Sequence, residues 1–213
     1  MLTDSEIVDA IHEMRKMFPE AGTTLKADTT FHFLLATILS AQSTDKSVNL
    51  VTPPLFNRYP TPASLAAAEP EDIEPYIKSL GLYRNKAKFL VNTSREIVAK
   101  FNGQVPHTMK ELTSLPGVGR KVANVVLAEC FDIPAFPVDT HVSRVARRLG
   151  MVKPNATVLQ IEKRLREAVP KEEWLDAHHV MIFFGRYQCT SRNPKCAKCP
   201  LLTICKYGQD NVF

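Results

Sequence analysis

The chain has 213 residues, 45% of them apolar, and 27 Lys plus Arg against 22 Asp plus Glu. A formal net charge of +5 with apolar residues spread along the whole length excludes a disordered chain. It also excludes a membrane-spanning one, because the longest apolar run, Phe31 to Ala41, is short and broken by His32, Thr37 and Ser40. The acidic start, with Asp4 and Glu6, lacks a signal-peptide layout and predicts a cytosolic protein. A pI near 9.0 favours an anionic partner such as nucleic acid, a balance that ribosomal, membrane-surface and housekeeping proteins share.

Helix signals follow one another along the chain. Thr3 with Glu6 has capping-box spacing and opens a helix over 4–17. Apolar periodicity predicts helices over 29–41 and 45–58, and Thr61-Pro62 reads as an N-cap followed by proline, opening 62–68. Helices over 71–80 and 84–101 are stopped by Gly81 and Gly103. Thr108 with Glu111 opens 108–114, and 119–131 follows a glycine turn. The last three run over 141–149, stopped by Gly150, over 157–168, opened by Thr157 with Gln160, and over 172–186. Nothing alternates as a strand would. The fold class is therefore all-α, and the turn-rich stretches 19–26 and 132–137 are candidate domain boundaries.

Charge is uneven. From Leu82 to Lys110 there are six basic residues and one acid, Glu96, and from Ala177 to Gln209 five basic residues and no acid. One-signed stripes are usually solvated faces; two of them beside the motifs below suggest a surface that tracks phosphates.

Four of the five cysteines lie in the last 25 residues. Cys189, Cys196, Cys199 and Cys205 form C-x6-C-x2-C-x5-C, a spacing that can wrap one soft-metal centre. Structural zinc more often uses two C-x2-C pairs, and the wider outer gaps here suit an iron–sulfur cubane, so zinc is the lesser alternative. Cys130, in an apolar segment, reads as a buried small hydrophobe.

The segment Leu112 to Val126 reads helix, tight turn, helix. Leu112, Leu115 and Val118 are apolar anchors, and Ala123 and Val126 continue the buried face. Gly117 and Gly119 let the backbone turn and leave N–H groups beside a helix start, which binds phosphate without a side chain. An ordinary αα-hairpin has the same glycines. The apolar frame favours a helix-hairpin-helix DNA-binding motif. Lys121 falls in the first turn of the second helix. A surface lysine usually only solvates, but an amine beside DNA can attack a sugar carbon and form a Schiff base. Asp139 precedes a helix and is an N-cap by default; a carboxylate there can also stabilise charge on a sugar ring.

Leu115–Val126, Val138-Asp139-Thr140-His141 and the cysteine tail, in that order, resemble the endonuclease III family of bifunctional DNA glycosylases. Leu39-Ser40-Ala41-Gln42-Ser43-Thr44-Asp45 and Gly81-Leu82-Tyr83 match two further family segments. The resemblance runs from about Met14 to Tyr207. It implies two helical domains flanking a DNA groove, a six-helix one over 23–135 and a discontinuous one from 1–22 and 136–213. It implies that Lys121 is the nucleophile and Asp139 its carboxylate partner. Gln42 would fill the gap left by the extruded nucleotide and Leu82 would wedge the opposite strand. Pro116, Gly117, Val118 and Gly119 would grip the backbone, His141 would contact DNA, and the four cysteines would hold a 4Fe–4S cluster. The implied partner is duplex DNA carrying oxidised pyrimidines or abasic sites, met by a monomer. Adenine-mismatch glycosylases share this layout but generally lack a lysine at the Lys121 position and carry a further C-terminal domain. A monofunctional mismatch glycosylase and a non-catalytic DNA-binding module are the competing expectations.

Overall fold

The structure, a computed structural model, describes residues 1–212. Among them are twelve α-helices, three single-turn 3-10 segments and no strand. None of the helices is long and apolar enough to cross a membrane. The chain divides into two compact units, one formed by Thr24–Ile133 and the other by Met1–Thr23 with the chain from Pro134 onward.

The continuous unit holds α2 (Thr30–Leu39), α3 (Asp45–Arg58), α4 (Pro62–Ala66), α5 (Pro70–Ile77), α6 (Tyr83–Phe101), α7 (Met109–Leu112) and α8 (Arg120–Phe131). α2 is buried on every side from Phe31 to Leu39, which marks it as the central helix. It packs against α8, α6 and α3, while α4 and α5 lie along α6. Leu34, Leu35, Leu55, Ile73, Leu90 and Val126 are all fully buried in this unit.

The discontinuous unit holds α1 (Asp4–Met17), α9 (Thr140–Leu149), α10 (Val158–Ala168), α11 (Trp174–Tyr187) and α12 (Lys206–Val212). Its core joins Ile7, Ile11 and Met14 of α1 to Val145 and Leu149 of α9, Leu165 of α10 and Phe184 of α11. Leu2 N–H donates to Gly150 O at 2.9 Å, fastening the first residues to the end of α9.

The caps were legible. Thr3 and Glu6 form a full capping box, as do Thr157 and Gln160. At Thr108 the box is incomplete: the hydroxyl accepts from Glu111 N–H but donates to Glu111 Oε2 at 2.6 Å. That carboxylate is turned onto the hydroxyl, where a full box has it accept from the Thr108 amide. Gly150 ends α9 at a φ of 77° as expected. Gly81 does not end α5, which stops at Ile77. Instead Leu82 adopts the left-handed conformation, φ 59°, as the N-cap of α6. The helix α12 lies beyond the last stretch for which the sequence predicts a helix.

Candidate functional site

The hairpin is held at both ends by its apolar frame, since Leu112, Leu115, Val118, Ala123 and Val126 are all buried. Leu115 N–H donates to Leu112 O and Val118 N–H to Leu115 O, each at 3.1 Å, which makes two tight turns in succession. Gly117 has φ +76°, and a Cβ there would stand 2.8 Å from Cγ of Phe89. Dihedral and ring both demand glycine. Behind the turn, Thr93 Oγ1 donates to the Pro116 carbonyl at 2.5 Å. Gly119 differs: its φ is −86° and nothing lies within 4 Å of a Cβ built there. Its backbone does not need glycine; the missing side chain leaves the start of α8 open to approach. We expect Gly117→Ala to lower Tm by roughly 4–8 °C, from a left-handed alanine pressed on a ring. Adding Phe89→Ala should recover part of that loss, and an unchanged Tm in Gly117→Ala would contradict the packing described.

The N-cap of α8, Gly119, provides no side-chain cap, and the first turn carries Arg120 and Lys121 with no acid. Each cation at the positive end of a helix costs about 0.3–1 kcal/mol, a cost offset when an anion sits there. Lys121 is half-buried at this end.

Two exposed residues of the same unit have left-handed backbones, Gln42 at φ 54° and Leu82 at φ 59°. For side chains of this size that conformation costs about 1–2 kcal/mol each. Leu82 is also 56% exposed, an unusual place for a large apolar group. A Cβ on Gly81 would lie 3.9 Å from the Gln42 carbonyl, so the two loops run side by side.

The basic stripe of this unit is thinner than its sequence suggests. Arg95 is bonded to the Ala66 and Ala68 carbonyls and to Glu69, and Lys100 pairs with Glu96. Lys86 is only 3% exposed, and its Nζ donates to Ser43 Oγ at 2.7 Å. Burial pushes its pKa below the usual lysine range. Arg84, Lys88 and Lys110 remain exposed.

In the discontinuous unit Asp139 is the N-cap of α9, with Oδ1 accepting from Val142 N–H at 2.8 Å. His141 is half-buried, its Nδ1 3.1 Å from an Arg144 guanidinium nitrogen. Burial holds its pKa below the ordinary value, opposed by Asp139 and reinforced by Arg144 and Arg186. The ring also lies where a Cβ on Gly185 would be, 2.9 Å from His141 Cβ. His141 is thus a packed imidazole that holds its proton less tightly than an ordinary histidine.

Cys189, Cys196, Cys199 and Cys205 line a single pocket with Leu149, Phe184 and Leu202, partly open to solvent. Among the described residues no three His, Cys, Asp or Glu side chains form a group that could hold a metal ion directly. Two arginines of α9 secure the loop, a link that spacing did not reveal. Arg144 donates to the Cys189 and Gly185 carbonyls at 3.0 and 2.7 Å. Arg148 donates to the Thr190 and Ser191 carbonyls at 2.7 and 3.1 Å and to Cys189 Sγ at 3.5 Å, and stacks 4.3 Å over the Tyr207 ring. α12 closes the other side, with Gly208 N–H donating to Cys205 Sγ at 3.3 Å. Cys130 is half-buried and separate, its thiol pushed up to about 11 by burial.

An all-helical chain with a glycine hairpin, a lysine just inside the next helix and four cysteines around one pocket has the layout of a helix-hairpin-helix protein. Residues 35–171 match the HhH-GPD superfamily of base excision DNA repair proteins. Endonuclease III of Bacillus subtilis is 46% identical over 98% of this chain and 95% of its own length. Its Synechocystis counterpart is 45% identical over 92% and 90%. A solved structure of a trapped covalent endonuclease III–DNA intermediate, 47% identical, covers all of both chains at a TM-score of 0.97. The chain belongs to the endonuclease III family.

Proposed function

We propose that this base-excision-repair glycosylase removes oxidised pyrimidines from duplex DNA, as a monomer, and then cuts the abasic site through Lys121. The observation that carries this is the lysine in the first turn of an uncapped helix start behind a packed Gly117 hairpin. The Pro116–Gly119 turn holds a phosphate through the N–H groups of Gly117 and Gly119, which brings a sugar to the amine. Neutral Lys121 Nζ attacks C1′, the bond from C1′ to the base breaks, and the base leaves carrying a proton. The sugar ring opens to an imine on Nζ. Loss of a C2′ proton expels the 3′ phosphate, and water then frees the lysine. Asp139 supplies the carboxylate that steadies positive charge on the sugar and takes up protons from the amine. Gln42 and Leu82 occupy the space an extruded nucleotide leaves, since extrusion costs a few kcal/mol of stacking. His141, half-buried beside Asp139, meets DNA at the same helix start.

The four thiols line one pocket, and the wide outer gaps of C-x6-C-x2-C-x5-C fit a 4Fe–4S cluster better than one zinc ion. The cluster, when bound, supplies four metal–thiolate bonds that fix the loop carrying Arg192, Lys195 and Lys198. Purified protein is expected to be coloured, with about four irons per chain, and Cys196→Ser to lose both. A colourless preparation with one zinc per chain would overturn the assignment.

The functional test is a thymine glycol duplex scored for free base and for strand scission. Both products should form. Base release without a nick would leave a monofunctional glycosylase, and neither product a DNA-binding module.

A further inference from the structure

A lysine inside a protein needs a reason, because removing its charge from water is expensive and an apolar side chain fills the same space at less cost. Lys86 is 3% exposed, and its ammonium reaches the Ser43 hydroxyl at 2.7 Å. Its backbone N–H donates to the Leu82 carbonyl at 3.0 Å. Ser43 follows Gln42 directly, and Ser43 N–H closes that turn onto the Ser40 carbonyl at 3.1 Å. One residue therefore holds, by main chain and by side chain, the two loops whose exposed residues adopt left-handed backbones. Further along the same face of α6, Phe89 backs Gly117 and Thr93 bonds Pro116. Positions 82, 86, 89 and 93 recur at helical spacing.

We infer that Lys86 is a positioning residue whose buried ammonium, held on Ser43, sets the spacing between the Gln42 and Leu82 loops. This rests on the reading that those two side chains fill the duplex during extrusion. A strained backbone drifts to lower-energy wells unless its surroundings fix it. The tie between Lys86 and Ser43 provides that fixing without touching DNA, which removes Lys86 from the phosphate-tracking charges.

Lys86→Met keeps the stem and removes the ammonium; Ser43→Ala removes its partner. Hydrogen exchange in the DNA-free chain reads the tie itself. Amides at 42–43 and 82–83 should exchange about tenfold faster in either variant. Single-turnover release of thymine glycol reads the consequence. Opposite adenine, either variant should slow about tenfold, with the double variant no slower than the singles. With the lesion opposite an abasic residue, where less stacking must be broken, rates should stay within about twofold of wild type. Unchanged exchange, or equal slowing on both duplexes, overturns the inference. If Lys86→Met does not fold, Ser43→Ala carries the test alone. A wild-type chain releasing no base from either duplex overturns the functional reading, and the role of Lys86 with it, whatever the exchange shows.

Discussion

Borohydride added to the wild-type chain on a duplex carrying one thymine glycol should yield a covalent protein–DNA adduct, and Lys121→Gln should yield none. The reagent reduces an imine to a stable amine, so it reports only a primary amine that has bonded to the sugar. Glutamine keeps the length of the side chain and offers no nucleophile. Strand cleavage should fall at least ~10³-fold. Affinity for the damaged duplex, read by anisotropy, should change less than about tenfold, because one charge among several is lost. An adduct surviving in Lys121→Gln moves the nucleophile to another residue. No wild-type adduct on either a thymine glycol or an abasic duplex removes the lyase step.

Asp139 allows a cleaner separation of fold from chemistry. Its Oδ1 caps α9 through Val142 N–H at 2.8 Å, and asparagine caps a helix as well as aspartate does. Asp139→Asn should therefore hold Tm within about 2 °C while turnover drops ~10²–10⁴-fold, the usual worth of a proton-handling carboxylate. Asp139→Ala should lose the same activity and, in addition, about 1 kcal/mol of stability from the missing cap. Full turnover in the asparagine variant, measured under single-turnover conditions, would reduce Asp139 to a structural cap.

Much of this was written in local chemistry. Thr3, Thr61 and Thr157 announce their helices because a hydroxyl three residues before a free amide caps it whatever surrounds it. The frame around Gly117 was legible for the same reason: its anchors lie within one hairpin. What escaped depends on residues distant in sequence. Lys86 reads as one more surface cation in a basic stretch until Ser43 is brought to it. The left-handed turn falls on Leu82, where a sequence reading gives it to Gly81, although a Cβ on Gly81 would make only an ordinary contact with the Gln42 carbonyl at 3.9 Å. α12 was missed since its sequence, KYGQDNV, has little apolar pattern and a central glycine. That glycine sits against Leu202 and Cys205, where a Cβ would come within 3.0 Å of the leucine. The arginines of α9 were likewise invisible as loop anchors, because their acceptors are carbonyls some 41–45 residues downstream.

The interruption of one unit by the other sets an order of events at the ribosome. α1 emerges first, with Ile7, Ile11 and Met14 needing cover from α9, α10 and α11, yet the whole of Thr24–Ile133 must be synthesised before those helices exist. At about 5–20 residues per second that is a wait of roughly 6–22 s, during which the intervening segment has all the partners for its own core. α1 meanwhile trails as an amphipathic helix with nothing to bury against, a natural client for a chaperone. The first helix made is the last to be housed.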